Sequence, residues 1–320
     1  MNKIKYFIKL LIFWLLYFFI NRLFFIAFYY QEFSSFSFIE LGQILPKSFA
    51  LDLSFIAYLS VIFVILLFAN SFVVKSKFNL FISKSIFVVN SFFILITALI
   101  IGSEIALYEE WSTKLNFTAI SHIKNPSEVF LTASLHNYMV VLFSLIIAFV
   151  FIKIYKRAVH QDFFAERKNH LIKIIKLPIV LGILLLVIRG GWGDVPLNTS
   201  DAYFSKHIIL NDVTVNPNWN VIQSILKSKT NFKGNPYKKY SDNESEAYTR
   251  ELLQGKNDTT MSVLKIKNPN IVFIILESWS ADNIESLGGL KGVTPHFKEL
   301  EKDGLLFTDF YSNGWASDQG

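Results

Sequence analysis

Two side chains in the last part of this sequence stand where chemistry would be done. Glu277 directly follows an unbroken apolar run, Ile271-Val272-Phe273-Ile274-Ile275-Leu276, which is itself introduced by the turn signal Asn268-Pro269-Asn270. The length and β-branched content of that run predict a parallel strand covered on both faces. The carboxyl edge of such a sheet is where ligands bind. A carboxylate held there is costly without a partner, and a divalent cation would be one. Capping a neighbouring helix or turning to solvent are the plainer outcomes. Ser317 opens the last stretch, Ser317-Asp318-Gln319-Gly320. If a helix begins there, the hydroxyl lies among backbone N–H groups that favour a phosphate or sulfate anion. A metal at Glu277 would also activate it as a nucleophile. The plainer role for Ser317 is that of an N-cap.

Such residues need elements to hold them. Thr294-Pro295 reads as an N-cap followed by proline at the first helical position. Phe297 and Leu300 share one face of the short helix, which stops near Asp303-Gly304. Leu305–Tyr311 reads as a second strand. Strand, crossover helix and strand form a βαβ-like unit, and Ser312–Ala316 is then the loop at its active edge.

The rest of the chain is of another kind. The protein has 320 residues, is 52% hydrophobic and contains 33 Phe, more apolar surface than a soluble fold of this length can hide. Crossing ~30 Å of hydrocarbon takes about 20 mostly apolar residues. Segments of that kind stand at Tyr6–Tyr30, Phe49–Phe68, Ile82–Ile101, Tyr138–Ile154 and Leu171–Ile188, the last with a short apolar core because of Lys173, Lys176 and Pro178. The first is no cleavable signal, since it runs on in bulky aromatics with no small-residue cleavage site.

Lysine and arginine concentrate before the first span, between the second and third, and between the fourth and fifth. That bias predicts a cytoplasmic amino terminus and an extracytoplasmic segment after Ile188, if the fifth segment crosses. The net charge of +6 belongs to this topology pattern and is not a nucleic-acid footprint. Without cysteine there is no disulfide, thiolate metal site or thiol nucleophile.

Arg22 interrupts the first span, where it either pairs with Asp52 or faces headgroups, or more plainly snorkels to the interface. The stretch between spans that carries Glu104, Glu109, Glu110 and Trp111 reads as a headgroup-facing surface helix or as an interfacial one with an aromatic anchor. Lys227–Ser262 reads as a polar linker with one short helix around Glu244–Leu253.

Taken in order, Asn270–Ser278, Val293-Thr294-Pro295-His296-Phe297, Phe307–Tyr311 and Asn313–Gly320 resemble the alkaline phosphatase/sulfatase superfamily. The nearest branch is the lipoteichoic acid synthase-like membrane proteins, and Arg189-Gly190-Gly191 and Asn216–Ser224 resemble the connector of its bacterial members. The resemblance implies about five transmembrane helices (1–188), an extracytoplasmic connector and linker (189–262) and the start of a sulfatase-like α/β domain (263–320). It also implies a divalent metal, manganese or zinc, on a carboxylate matching Glu277 and sharing Ser317, with a hydroxyl nucleophile matching Ser317. The substrate would be a membrane lipid or glycan carrying an anionic ester, such as a phosphoglycerol headgroup, in a bacterial cytoplasmic membrane. Serine replaces the family's usual threonine, and Ala316 and Gln319 replace its basic neighbours.

Phosphoethanolamine transfer uses the same layout. A formylglycine sulfatase does not fit, because Ser317-Asp318-Gln319-Gly320 lacks the C/S-x-P-x-R pattern. A non-catalytic, degenerate membrane protein is the remaining class. The family's Asp-His metal pair lies far beyond its nucleophile, and the six histidines here show no ligand spacing. The chain is therefore expected to be an N-terminal portion, inactive as written.

Overall fold

The computed structural model describes residues 3–121, 131, 133–163, 170–231, 240–253, 268–276, 279–309 and 311. It divides into two compact units, Met1–Lys239 and Tyr240–Gly320. In the first, five long helices stand side by side: α1 (Lys3–Phe28), α2 (Phe38–Asn70), α3 (Ser76–Trp111), α4 (Leu135–Ile154) and α5 (His170–Arg189). The first four are long and apolar enough to cross a membrane, α4 being counted through a π-helical turn to Val159. An α-helix suits lipid because every backbone polar group in its interior is paired within it.

The aromatic richness of α1 has a direction. Tyr6, Leu10, Phe13, Trp14, Tyr17 and Phe18 are buried against the other helices, whereas Ile4, Ile8, Ile12, Leu16 and Leu23 are exposed. Both faces are apolar, so aromatic rings meet protein and aliphatic side chains meet acyl chains. The rings pack edge to face, Trp14 on Tyr17 at 5.4 Å and Tyr17 on Phe151 at 5.0 Å. Their polar atoms also find partners across the bundle. Trp14 Nε1 donates to Asn90 Oδ1 at 3.2 Å and Tyr17 OH to the Ile94 carbonyl at 3.2 Å.

Side-chain contacts fix which helix ends lie together. At one end Tyr6 OH meets Tyr155 OH at 3.0 Å, Lys9 Nζ donates to the Ala158 carbonyl at 2.8 Å, and Lys173 Nζ donates to the Ser71 carbonyl at 2.6 Å. This basic end gathers the start of α1, the end of α2, the end of α4 and the start of α5. At the far end Arg22 of α1 meets Asp52 of α2, and Ser54 Oγ donates to the Ile188 carbonyl at 2.8 Å. The helix α5 therefore runs along α2 from the basic end to the far end, the same traverse that the other four make in alternation. Twenty residues at ~1.5 Å each give it a length of about 30 Å.

Helices α3 and α4 form the closest pair, and one glycine permits it. A Cβ placed on buried Gly102 would stand 2.9 Å from Ser144 Oγ and 3.1 Å from the Val141 Cα. Small residues at such crossings let backbones approach. Gly102→Val is expected to push α3 from α4 and cost about 1–3 kcal/mol, seen as a lowered Tm in detergent, while Gly42→Val, with open space around its Cβ, should not share that steric penalty.

One expectation changes here. Glu104, Glu109, Glu110 and Trp111 do not form a separate surface helix but the last turns of α3, which ends at Ser112 in the left-handed conformation, φ 46°. The segment after Arg189 packs back on the bundle. Residues 189–231 belong to the first unit and include α6 (Ile208–Thr214) and α7 (Pro217–Asn231).

The second unit contains α8 (Asp242–Leu253) and α9 (Pro295–Asp303). The first begins in a reciprocal cap, Ser241 Oγ accepting from Glu244 N and Glu244 Oε2 from Ser241 N. For α9, Pro295 stands at the first position as expected, but the Thr294 hydroxyl donates to the Asn283 carbonyl at 2.6 Å instead of capping the helix. No strand is formed among the described residues. Ile271–Leu276, expected to be a covered strand, is 53–85% exposed. Leu305–Tyr311 ends in a turn at Thr308-Asp309. A parallel strand exists only through neighbours that pair its N–H and C=O groups, and the described residues supply none, so the α/β sheet is not seen in them.

Candidate functional site

Glu277 and Ser317, the predicted metal ligand and nucleophile, both lie outside the described residues, as does the loop Ser312–Ala316. The intervening stretch is well defined. Trp279 packs edge to face on Phe297 at 5.3 Å, tying the chain just beyond Glu277 to α9. Lys298 Nζ bonds Glu285 Oε1 at 2.8 Å and holds that carboxyl below its ordinary range. Gly289 lies so close to the Asp282 carbonyl that there is no room for a Cβ on it. These contacts fold residues 279–303 into a knot of turns and one helix. Among the described residues no three His, Cys, Asp or Glu side chains form a group that could hold a metal.

What the structure does bring together is a buried charge network at the far end of the helical bundle. Arg22 Nη1 and Nη2 bond Asp52 Oδ2 and Oδ1, each at 2.7 Å, in the planar two-pronged geometry that guanidinium favours. Arg22 also donates to the Val213 and Thr214 carbonyls at 3.2 Å, the last carbonyls of α6, which have no helical partner. Asp52 Oδ1 accepts a further bond from Asn216 Nδ2 at 2.8 Å. Asn216 in turn caps α7, its Oδ1 accepting from Asn218 N and Trp219 N, with Pro217 at the first helical position. Trp219 Nε1 then donates to Ser54 Oγ at 3.1 Å. The snorkelling role for Arg22 is thus corrected. Its side chain is only 6% exposed and is spent on Asp52 and the connector.

A second ion pair lies alongside. Lys114 Nζ bonds Glu104 Oε1 at 2.5 Å and the Asp212 carbonyl at 2.9 Å, while Glu104 Oε2 accepts from Leu115 N at 3.2 Å. Tyr108 OH donates to Asp212 Oδ2 at 2.8 Å. Burial pushes the Asp212 carboxyl above its usual range, against the pull of Lys114 and the Tyr108 hydroxyl. Between the two pairs is a cavity of about 20 Å³, lined in part by Asn21, Arg22, Glu104 and Val213, room for about one water. Asn21 Oδ1, of a residue lining this cavity, is buried with no donor among the described residues.

Sequence reasoning named Asp52 as an option for Arg22 and missed Glu104–Lys114 and Asp212. A carboxylate in the middle of an apolar helix was the available signal, since it demands a partner. Nothing local, however, identifies Asp212, 104 residues beyond Tyr108.

These arrangements hold the connector onto the membrane-type helices; they contain no nucleophile placed against an anion site. No solved structure matches the chain. A family model does: Sulfatase, over residues 269–319, a stretch that runs from the proline before the apolar run to just past Ser317 and includes Glu277, and its match supports a sulfatase-like superfamily member joined to a helical membrane region.

Proposed function

We propose that this protein is a membrane-bound, metal-dependent phosphotransferase or hydrolase acting on a lipid headgroup such as phosphoglycerol. The observation that carries this reading is the Sulfatase match over residues 269–319, which spans both Glu277 and Ser317. The Ser317 oxygen would attack the phosphorus of the headgroup diester and form a new P–O bond. The P–O bond to the lipid glycerol would break, and the leaving alkoxide would take up a proton. An acceptor hydroxyl or water would then release the group and restore the serine. A carboxylate and a hydroxyl are hard oxygen donors of the kind manganese or zinc accepts, and the cation would supply Lewis-acid charge neutralisation. Two donors do not complete a coordination shell, so other ligands are required.

The Lys and Arg pattern supports a bacterial cytoplasmic membrane with the basic end inside and residues after Arg189 outside. The traverse of α5 supports the same odd number of crossings. The domain bounds 1–188, 189–262 and 263–320 belong to this reading, in which residues 189–231 are held on the helices. The 53–85% exposure of Ile271–Leu276 favours a second reading, in which the protein is a non-catalytic, degenerate relative.

Headgroup release from labelled phosphatidylglycerol and phosphatidylethanolamine, measured in proteoliposomes, tests this. Release from phosphatidylglycerol is the expected result. Release confined to phosphatidylethanolamine would change the substrate to phosphoethanolamine. Inertness on both lipids, with no bound manganese or zinc, would replace the enzyme with the non-catalytic reading.

A further inference from the structure

The loop that leaves α5 is built to present an indole. Gly190 and Gly191 take φ of 91° and 111°, turning the chain off the helix, and a Cβ on Gly190 would stand 2.9 Å from the Leu197 Cβ. Leu197 N donates back to the Arg189 carbonyl at 2.8 Å and closes the loop. The Arg189 guanidinium fills its interior, donating to the carbonyls of Gly191, Gly193 and Asp194 at 3.2, 2.5 and 3.0 Å. A cation at the end of an apolar helix is thereby spent inside its own loop. Trp192 and Val195 are turned outward, 86% and 74% exposed, on a backbone with little freedom left. Holding large apolar side chains exposed in water is unfavourable.

Position says what covers them. The helix α5 is about 30 Å long, the thickness of the hydrocarbon core. Its last turn is level with Ser54 and the far-end ion pair. The loop beyond Arg189 therefore falls in the interfacial layer, where tryptophan is favoured because its ring is apolar and its N–H can bond headgroups. Asp194 is exposed on the same loop, which suits the headgroup layer and excludes burial among acyl chains.

From this we infer that Trp192 and Val195 dock into the lipid interface at the far end of the bundle and fix the height of the connector in the membrane. The inference rests on α5 crossing the bilayer. The absence of cysteine from the chain allows clean single-cysteine probes. A nitroxide at Val195→Cys, in proteoliposomes of phosphatidylglycerol and phosphatidylcholine, should collide with oxygen several-fold more readily relative to a nickel chelate than one at Tyr248→Cys in the second unit. Its value should lie toward that of Ile183→Cys on the exposed face of α5. Adding Trp192→Ser should shift the Val195 probe to the aqueous value. An impermeant maleimide applied to Lys77→Cys and Lys206→Cys tests the crossing separately. Labelling from the same side would remove the membrane span on which the inference depends. Opposite sides with an aqueous Val195 probe, or a probe indifferent to Trp192→Ser, would overturn the anchor alone.

Discussion

Arg22→Ala is expected to lower the stability of the helical unit by about 3–5 kcal/mol, the usual cost of removing one partner from a buried ion pair. In this site the loss has three parts. Asp52 would keep only the Asn216 amide as a donor. The Val213 and Thr214 carbonyls would lose the guanidinium that serves them. The cavity beside Asn21 would grow by the volume of the removed side chain. For a unit of this size the cost corresponds to a fall in Tm on the order of 10 °C, measured in nanodiscs. Trypsin should also begin to cut at Lys206, because α6 and α7 lose their hold. The paired replacement Arg22→Met with Asp52→Leu separates charge from packing. It should recover most of the stability, since apolar side chains of similar volume often replace a buried ion pair with little loss. If Arg22→Ala unfolded at the temperature of the parent, the clamp would carry no energy and the connector would be held by packing alone.

Ser317→Ala is expected to abolish headgroup release, with turnover falling by about three orders of magnitude or more, as when an attacking hydroxyl is removed from other covalent catalysts. The assay is the phosphatidylglycerol release described above. Ser317→Thr should retain turnover, because a secondary hydroxyl performs the same displacement. Glu277→Gln should lower both turnover and bound manganese or zinc, because an amide oxygen lacks the charge that holds a divalent cation. Full activity in Ser317→Ala would remove the covalent step from the proposal, and unchanged metal content in Glu277→Gln would remove the ligand.

The long helices were legible because lipid imposes a simple rule, a run of apolar side chains of fixed minimum length. The aromatic side of α1 was not, since an all-apolar helix gives no period from which to read an inward face. The end of α3 was misplaced because Glu104 looks like a surface residue until Lys114 and Asp212 are brought to it. The short apolar run Ile271–Leu276 reads as a strand from composition, yet pairing is a property of neighbours and not of the run itself. The candidate site was read only from the order of Glu277, Thr294-Pro295 and Ser317, and no geometry stands beside that order because Glu277 and Ser317 fall outside the described residues.

The ion pair between α1 and α2 also bears on biogenesis. Arg22 and Asp52 are 30 residues apart, near enough for the first two helices to enter the bilayer as a hairpin. Either charge alone would oppose insertion of its apolar helix. Together they enter as a neutral couple. Asn216 follows 164 residues after Asp52, so the connector finds its dock assembled by the time it is synthesised.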